Sequence, residues 1–129
     1  MSITFHRAFD LTSSPQKAME QIIALGCHRI LTSGCAPSAR QGVEMLAQLQ
    51  RMAGDRLTIL AGGGVTPANA AEIMKLGGVY ELHASARGAM PSAMKFRHQG
   101  VSMGTPGTDE YARLTTDAAI VDKIVNAMK

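Results

Sequence analysis

The sequence predicts an α/β fold of four βα units with parallel strands, either as a small open sheet or as half of an eight-stranded barrel. Two observations predict it. Strand-like and helix-like segments alternate along the 129 residues, and turn or capping residues stand at the junctions between them. Repeated βα units with short connections imply parallel strands and right-handed crossovers. The length fits one domain spanning residues 1–129.

Each of the four units starts with a short strand and continues into a helix with recognisable ends. The predicted strands are Ser2–His6, His28–Ser33, Leu57–Ala61 and Val79–Ala84. The starts of the first three helices are predicted by cap and first-turn residues at Ser14-Pro15, a capping box from Ser38 to Gln41, and Thr66-Pro67. Glycines end these helices at Gly26, Gly54 and Gly77-Gly78.

The C-terminal third is less regular than the rest. Residues 85–108 form a stretch containing glycine and proline that predicts a long loop, and such loops in a compact domain are usually functional or mobile. Residues 109–115 are ambiguous between strand, helix and loop. Thr116 is the predicted cap of a last helix, whose apolar stripe is Ile120, Val121, Ile124, Val125 and Met128.

Composition argues against several classes of protein. No apolar run reaches about 18 residues, so no transmembrane helix and no membrane partner are expected. The net charge is +3 and the basic residues are mostly scattered, so nucleic-acid binding is not expected either. The two cysteines, Cys27 and Cys35, lie at opposite ends of a predicted strand, too far apart for a disulfide. A reducing cytoplasm fits this arrangement.

Strand alternation separates two faces of the predicted sheet. The side chains expected to pack on the helices are Ile3, Phe5, Tyr80 and Leu82. The opposite, polar face should line a barrel lumen or a cleft, and it carries His6, Glu81 and His83. Ionisable groups there are costly unless paired, so these three are candidate catalytic residues. A polar network that serves only structure is the alternative.

A loop after the first strand carries three further polar candidates. His6, Arg7 and Asp10 offer a base, a cation and a carboxylate within a few residues. Arg7 could clamp a carboxylate or a phosphate. The alternative is an Arg7–Asp10 ion pair that only fixes the loop.

A glycine-rich turn follows the third strand. Gly62, Gly63 and Gly64 lead into the helix that Thr66 is predicted to cap. Consecutive glycines let backbone N–H groups approach an anion, and the helix dipole favours negative charge. Loops after late strands of many barrels hold phosphate. The sequence therefore predicts a phosphate or sulfate at these residues, against the alternative of a tight turn that only requires glycine.

Cys35 is a candidate ligand for a soft metal such as copper(I). It follows the second strand in Thr32-Ser33-Gly34-Cys35, at the same end of the sheet as His6. A thiolate there could bind such a metal, and His83 is the other candidate ligand. The commoner role of a lone cysteine is that of a small apolar side chain.

Six segments of the chain are similar, in order and spacing, to the motifs of one known family. They are Thr4–Asp10 (TFHRAFD), Arg29–Gly34 (RILTSG), Ala61–Val65 (AGGGV), Glu81–Ala86 (ELHASA), Gly100–Met103 (GVSM) and Asp109–Arg113 (DEYAR). Together they resemble the CutC copper-homeostasis family. The resemblance implies a cytoplasmic (β/α)8 barrel linked to copper tolerance and reported to bind copper. The residues that match its motifs are His6, Arg7, Asp10, Glu81 and His83, whereas Cys35 is outside them.

The resemblance also implies that the chain corresponds to the C-terminal half of a family member, since members are much longer. The fold prediction then becomes half of a TIM (β/α)8 barrel. The cysteine-bearing motifs of the family lie in its first two strands, which are absent here. We therefore expect weak copper binding at best, through Cys35 or His83, in a protein associated with copper homeostasis.

Two further expectations complete the sequence-based interpretation. The alternative function is a TIM-barrel enzyme acting on a phosphorylated or carboxylated small molecule. His6 or Glu81 would be its acid or base, and Arg7 with Gly62–Gly64 would hold the anion. A half-barrel leaves two open strand edges, so the expected partner is a second copy in a homo-oligomer, most simply a dimer, or a missing N-terminal half.

Overall fold

A parallel four-stranded sheet forms the centre of the structure, a computed structural model that describes residues 1–98, 100–101, 103–105, 107 and 109–129. Its strands are β1 (Thr4–Phe5), β2 (Arg29–Thr32), β3 (Thr58–Gly62) and β4 (Glu81–His83). They pair in chain order and all in parallel. The predicted α/β class with adjacent parallel strands is confirmed. Three strands are shorter than predicted, and β3 is shifted by one residue.

Helices follow the strands as the alternation predicted. They are α1 (Pro15–Ala24), α2 (Val43–Ala53), α3 (Ala70–Gly77) and α4 (Ala118–Ala127), and a 3-10 turn at Arg7–Leu11 follows β1. Pro15 is the first residue of α1, because its fixed φ suits a helix start and its missing N–H is not needed there. None of these helices, within the described part of the chain, is long and apolar enough to cross a membrane.

The helices cover one face of the sheet and leave the other partly open. Ile30 and Ile59, on the helix side, have no exposed surface. Phe5 and Leu82 pack against the same core, as predicted. The prediction was wrong for Tyr80, which is 76% exposed, because β4 begins only at Glu81 and Tyr80 precedes the alternation. Ile3 also precedes its strand and is exposed. The partly exposed residues of the open face are Arg29, Leu31, Thr58, Leu60 and Glu81.

The second helix starts later than the capping box predicted. The Gln41 amide does donate to Ser38 Oγ, at 3.3 Å, but these residues form a turn, and α2 begins at Val43 after Gly42. The Gly42 amide donates to the Ser38 carbonyl oxygen at 3.0 Å, which closes this turn before α2 begins. Gly42 also approaches the end of β2 closely, since a Cβ there would lie 1.9 Å from the Ser33 carbonyl oxygen.

Thr66 and Thr116 are not the caps of α3 and α4. Asn69 precedes α3, and its Oδ1 accepts from the Thr66 amide at 2.8 Å, which makes residues 66–69 a turn. Asp117 caps α4, because its Oδ1 accepts from the Ala119 amide at 2.8 Å. Before both helices, the side-chain oxygen that accepts the local hydrogen bond belongs to a residue later in the chain than the predicted threonine.

An antiparallel hairpin occupies part of the C-terminal region. β5 (Arg87–Pro91) pairs with β6 (Ala112–Thr116). The prediction of a loop throughout 85–108 was therefore wrong at its start, and the ambiguous 109–115 segment is largely strand. Local pattern did not show this pairing because each strand depends on a partner distant in sequence. Gln99, Ser102, Pro106 and Thr108, and with them part of the predicted loop and of the GVSM segment, lie outside the described residues.

Candidate functional site

The Asp10 carboxylate joins the segment after β1 to the end of β2. Its Oδ1 accepts from the Thr32 hydroxyl at 2.5 Å and from the amides of Ser33 and Cys35, both at 3.1 Å. Its Oδ2 accepts from Arg7 Nε at 2.7 Å. Burial raises the pKa of the Asp10 carboxyl, but these hydrogen bonds outweigh it and leave the pKa below its usual value. Asp10, whose side chain is 8% exposed, is therefore charged at neutral pH.

Arg7 connects this carboxylate to the glycine turn after β3. Besides the bond from Nε to Asp10, its Nη2 donates to Ser33 Oγ at 2.8 Å. The remaining nitrogen, Nη1, lies over the turn, since a Cβ added to Gly63 would be 3.1 Å from it. The Arg7 side chain is 43% exposed, so a ligand can reach it from solvent. The guanidinium is thus held on one side and open on the side of the turn.

The glycine turn is held by its carbonyl groups. Gly63 O accepts from the Ala39 amide at 2.9 Å, and Gly64 O accepts from Asn69 Nδ2 at 2.9 Å. Gly63 and Gly64 have φ values of +107° and +70°, which favour glycine. Among the described residues, no protein group accepts from the amides of Gly63, Gly64 or Val65. The Gly63 amide, next to the Arg7 guanidinium, and the two amides that follow it in the turn are therefore left as donors.

Two other residues of the predicted anion site have structural partners. The Thr66 amide is engaged by Asn69 Oδ1, so it is not a free donor. Gly62 is the last residue of β3, and a Cβ there would lie 2.6 Å from Leu31 Cδ1, which requires glycine for packing. The candidate anion-binding amides are thus those of Gly63, Gly64 and Val65.

Two histidines lie at the same ends of the strands. His6 Nδ1 accepts from the Ala8 amide at 3.0 Å, and its ring stacks on Phe5 with centroids 5.4 Å apart. A neutral imidazole that accepts through Nδ1 carries its proton on Nε2, so His6 presents a donor to solvent. His83 is exposed and pairs in register with Gly62, next to the glycine turn.

Glu81 lies on the open face of the sheet, apart from the Asp10 hydrogen bonds. Arg29 binds it in a bidentate pair, with Nε to Oε2 at 2.6 Å and Nη2 to Oε1 at 3.0 Å. The hydrogen bond from Arg29 holds the pKa of the Glu81 carboxyl below its usual value. Arg29 Nη1 also donates to Ser2 Oγ at 2.7 Å. The structure therefore brings Arg7, Asp10 and the glycine turn together but engages Glu81 in a separate ion pair.

The surroundings of Cys35 do not fit a copper site. Burial, followed by the charge of Asp10, raises the pKa of the Cys35 thiol, whereas a metal ligand has to be a thiolate. Both Cys27 and Cys35 are free thiols. Across the described ranges, no group of three or more His, Cys, Asp or Glu side chains could hold a metal ion.

Three residues of the site were missing from the sequence-based candidates. Thr32 and Ser33 bind Asp10 and have no exposed surface, and Asn69 fixes the glycine turn. A signal for the first two was available, because polar residues at the carboxyl end of a buried parallel strand commonly face a site. The signal for Asn69 was its place at the end of a turn that begins with Thr66-Pro67.

Comparison with known proteins shows which family the chain belongs to. The model of the CutC family matches residues 1–88. The chain belongs to the CutC family. A CutC family protein from Chromobacterium violaceum is 50% identical over 128 residues, which cover 99% of this chain and 52% of the relative. A CutC family protein from Bacteroides thetaiotaomicron is 48% identical over 130 residues, which cover 100% of this chain and 52% of the relative.

A solved structure supports the same assignment. The “Putative Copper Homeostasis Protein CutC” from Streptococcus agalactiae matches with a TM-score of 0.61 and 33% identity, over 64% of this chain and 41% of that one. The predicted resemblance to CutC is confirmed, and the likeness supports a TIM-barrel-like fold. The chain spans about half the length of the curated CutC relatives it matches.

Proposed function

We propose that this chain belongs to a cytoplasmic protein of copper homeostasis whose site at the strand ends binds an anionic small molecule. The role in copper homeostasis is supported by family membership and by the name of the Streptococcus agalactiae relative. The ligand class is supported by the site itself. We expect a phosphate or a carboxylate group to be the part of the molecule that is recognised.

A single arrangement supports this proposal: Arg7 Nη1 lies beside a turn with three amides that have no acceptor among the described residues. A guanidinium and converging backbone N–H groups are the donors that bind phosphate and carboxylate in proteins. Asp10 and Ser33 use the other guanidinium nitrogens, so the free one remains for a ligand. These hydrogen-bond donors suit an oxygen anion. A copper ion would instead need side chains that donate electron pairs.

A second candidate function is an enzyme that acts on the bound anion. It is favoured by the placement of His6, whose Nε2 proton faces solvent at the same strand ends as Arg7. In this arrangement His6 would donate a hydrogen bond from its Nε2–H to the anion. To act as a base through Nε2 it would first have to release the Ala8 amide.

Anion binding is tested by following the backbone amides in NMR spectra during sulfate and phosphate titrations. Arg7→Met removes the free guanidinium nitrogen, and Arg56→Met is the matched control. Arg56 is 50% exposed and is paired with Glu20 away from the site. We expect the Gly63, Gly64 and Val65 amides to shift in the wild type and in Arg56→Met. Arg7→Met should bind at least about tenfold more weakly, since a charge-assisted hydrogen bond is lost. Equal binding by the two variants would contradict the proposal.

Direct copper binding is tested separately, by competition with a strong copper(I) chelator. We expect the chelator to win, because burial raises the pKa of the Cys35 thiol and the described part of the chain holds no cluster of metal ligands around it. Any residual binding should disappear in a Cys35→Ser, His83→Ala double variant. Tight stoichiometric binding that survives both replacements would show that copper uses other residues.

A further inference from the structure

We infer that Asp10 is a positioning residue for the anion site: its carboxylate fixes the Arg7 guanidinium so that Nη1 points at the glycine turn. The inference rests on the proposed anion binding at that turn. Asp10 itself makes no contact with the place where the anion would bind, so its effect has to pass through Arg7.

The contacts of Asp10 show how this positioning works. The Thr32 hydroxyl and the amides of Ser33 and Cys35 hold the carboxylate in place, so it is an immobile acceptor. Arg7 Nε binds that acceptor at 2.7 Å, and Nη2 binds Ser33 Oγ at 2.8 Å. Because a guanidinium is planar and rigid, fixing two of its nitrogens fixes the third. Nη1 is thereby placed beside Gly63 before any ligand arrives.

The charge of Asp10 and its positioning role predict opposite changes in anion affinity when Asp10 is replaced. A carboxylate close to an anion site lowers the local positive potential, so removing its charge alone should strengthen anion binding. Asp10→Asn removes the charge but also replaces one acceptor by an NH2 group. That group would face a donor in either orientation: Arg7 Nε at the position of Oδ2, or the Ser33 and Cys35 amides at the position of Oδ1. If positioning dominates, Asp10→Asn weakens anion binding even though it removes a negative charge.

A double-mutant cycle with sulfate as the probe separates positioning from a general structural role. We expect Asp10→Asn to weaken sulfate binding at least about fivefold, as expected when one hydrogen bond is lost. In an Arg7→Met background Asp10→Asn should cause no further loss, because the group that it positions is gone. Glu20→Gln is the matched control, since Glu20 accepts from Arg56 in an ion pair away from the site.

The Arg7 Nε–H resonance gives a second, ligand-free measurement. It should exchange slowly with water in the wild type and rapidly in Asp10→Asn. If Asp10→Asn does not fold, Ser33→Ala takes its place, and removal of the acceptor for Arg7 Nη2 should also weaken sulfate binding.

The outcomes are distinct. Wild-type protein that binds no sulfate overturns the proposed function. Three results would overturn the positioning role alone. One is a folded Asp10→Asn variant that binds sulfate as tightly as the wild type or more tightly. The others are an equal loss of sulfate affinity from Asp10→Asn in the Arg7→Met background, and an Arg7 Nε–H signal that Asp10→Asn leaves unchanged.

Discussion

Asp10 and Gly42 illustrate how single residues decide the way the strand ends meet. The Arg7–Asp10 pair was visible in the sequence, because the two residues lie three apart on one loop. The hydrogen bonds from Thr32 and Ser33 to Asp10 could not be predicted from the sequence, because they depend on the register of β1 against β2. The close approach of Gly34 and Gly42 depends on the path of a whole loop, so local pattern could not reveal it.

The hydrogen bonds of Asp10 should make the stability of the protein depend on pH. Because folding lowers the pKa of Asp10 from its ordinary 3.8, the stabilisation is fully present above that value and is lost as the pH falls through the folded pKa. We expect Asp10→Asn to cost about 1–3 kcal/mol at neutral pH, since buried donors lose their acceptor. Urea unfolding of both proteins measures this. A free-energy difference that stays constant into strong acid would contradict the role of the Asp10 charge.

The Gly34–Gly42 contact predicts a steric effect of Gly42→Ala. The φ of Gly42 is −92°, so alanine suits the backbone, and the contacts with the Ser33 carbonyl and with Gly34 Cα oppose it. We expect a loss of about 1–3 kcal/mol or more, as for overpacking. Gly77→Ala is the control, because its Cβ would meet Leu46 at an ordinary 3.4 Å. Similar urea midpoints for the two variants would argue against the close approach.

Helices and strands were predictable to different degrees. The four parallel strands and their order followed from alternation and connection length, which are properties of each βα unit alone. Helix starts were less predictable. The side chains of Asn69 and Asp117 make the local hydrogen bonds before α3 and α4, and α2 begins only after Gly42 rather than at the turn of Ser38. The β5–β6 hairpin was missed because its pairing joins segments separated by a long connection.

The corrected cap of α4 can be tested by substitution. Asp117→Ala should destabilise the protein by about 1 kcal/mol, because the Ala119 amide loses its acceptor. Thr116→Ala should cost less, since the Thr116 hydroxyl makes only a 3.3 Å bond to the Ser85 carbonyl oxygen. Thermal unfolding of the two variants ranks them. The reverse order would restore Thr116 as the cap.

The chain as a whole presents an open sheet. Within the described residues, β1 pairs only with β2 and β4 only with β3, so each has a free edge. Leu31 and Leu60 are partly exposed on the face away from the helices. Open edges and half-covered apolar side chains favour pairing with another chain. We propose that a second copy covers this face in a twofold dimer, with β1 of each protomer beside β4 of its partner.

Light scattering coupled to size-exclusion chromatography tests this assembly at tens of micromolar protein. We expect a dimer in the wild type. Leu60→Lys should shift it to monomer, because the charge would be buried at the interface. Leu11→Lys is the control, since Leu11 is 89% exposed in the turn after β1. A well-folded monomeric wild type would contradict the proposal.

The anion site is best tested by sulfate titration of Gly63→Ala against Gly26→Ala. Both positions have positive φ, +107° at Gly63 and +76° at Gly26, so alanine strains the backbone at both. Only at Gly63 would the added Cβ meet Arg7, at 3.1 Å from Nη1, whereas nothing lies within 4 Å at Gly26. We predict that Gly26→Ala binds sulfate like the wild type, with shifts at Gly63, Gly64 and Val65, and that Gly63→Ala loses this binding while remaining folded. Equal sulfate affinity in the two variants would contradict an anion site at Arg7 and the glycine turn.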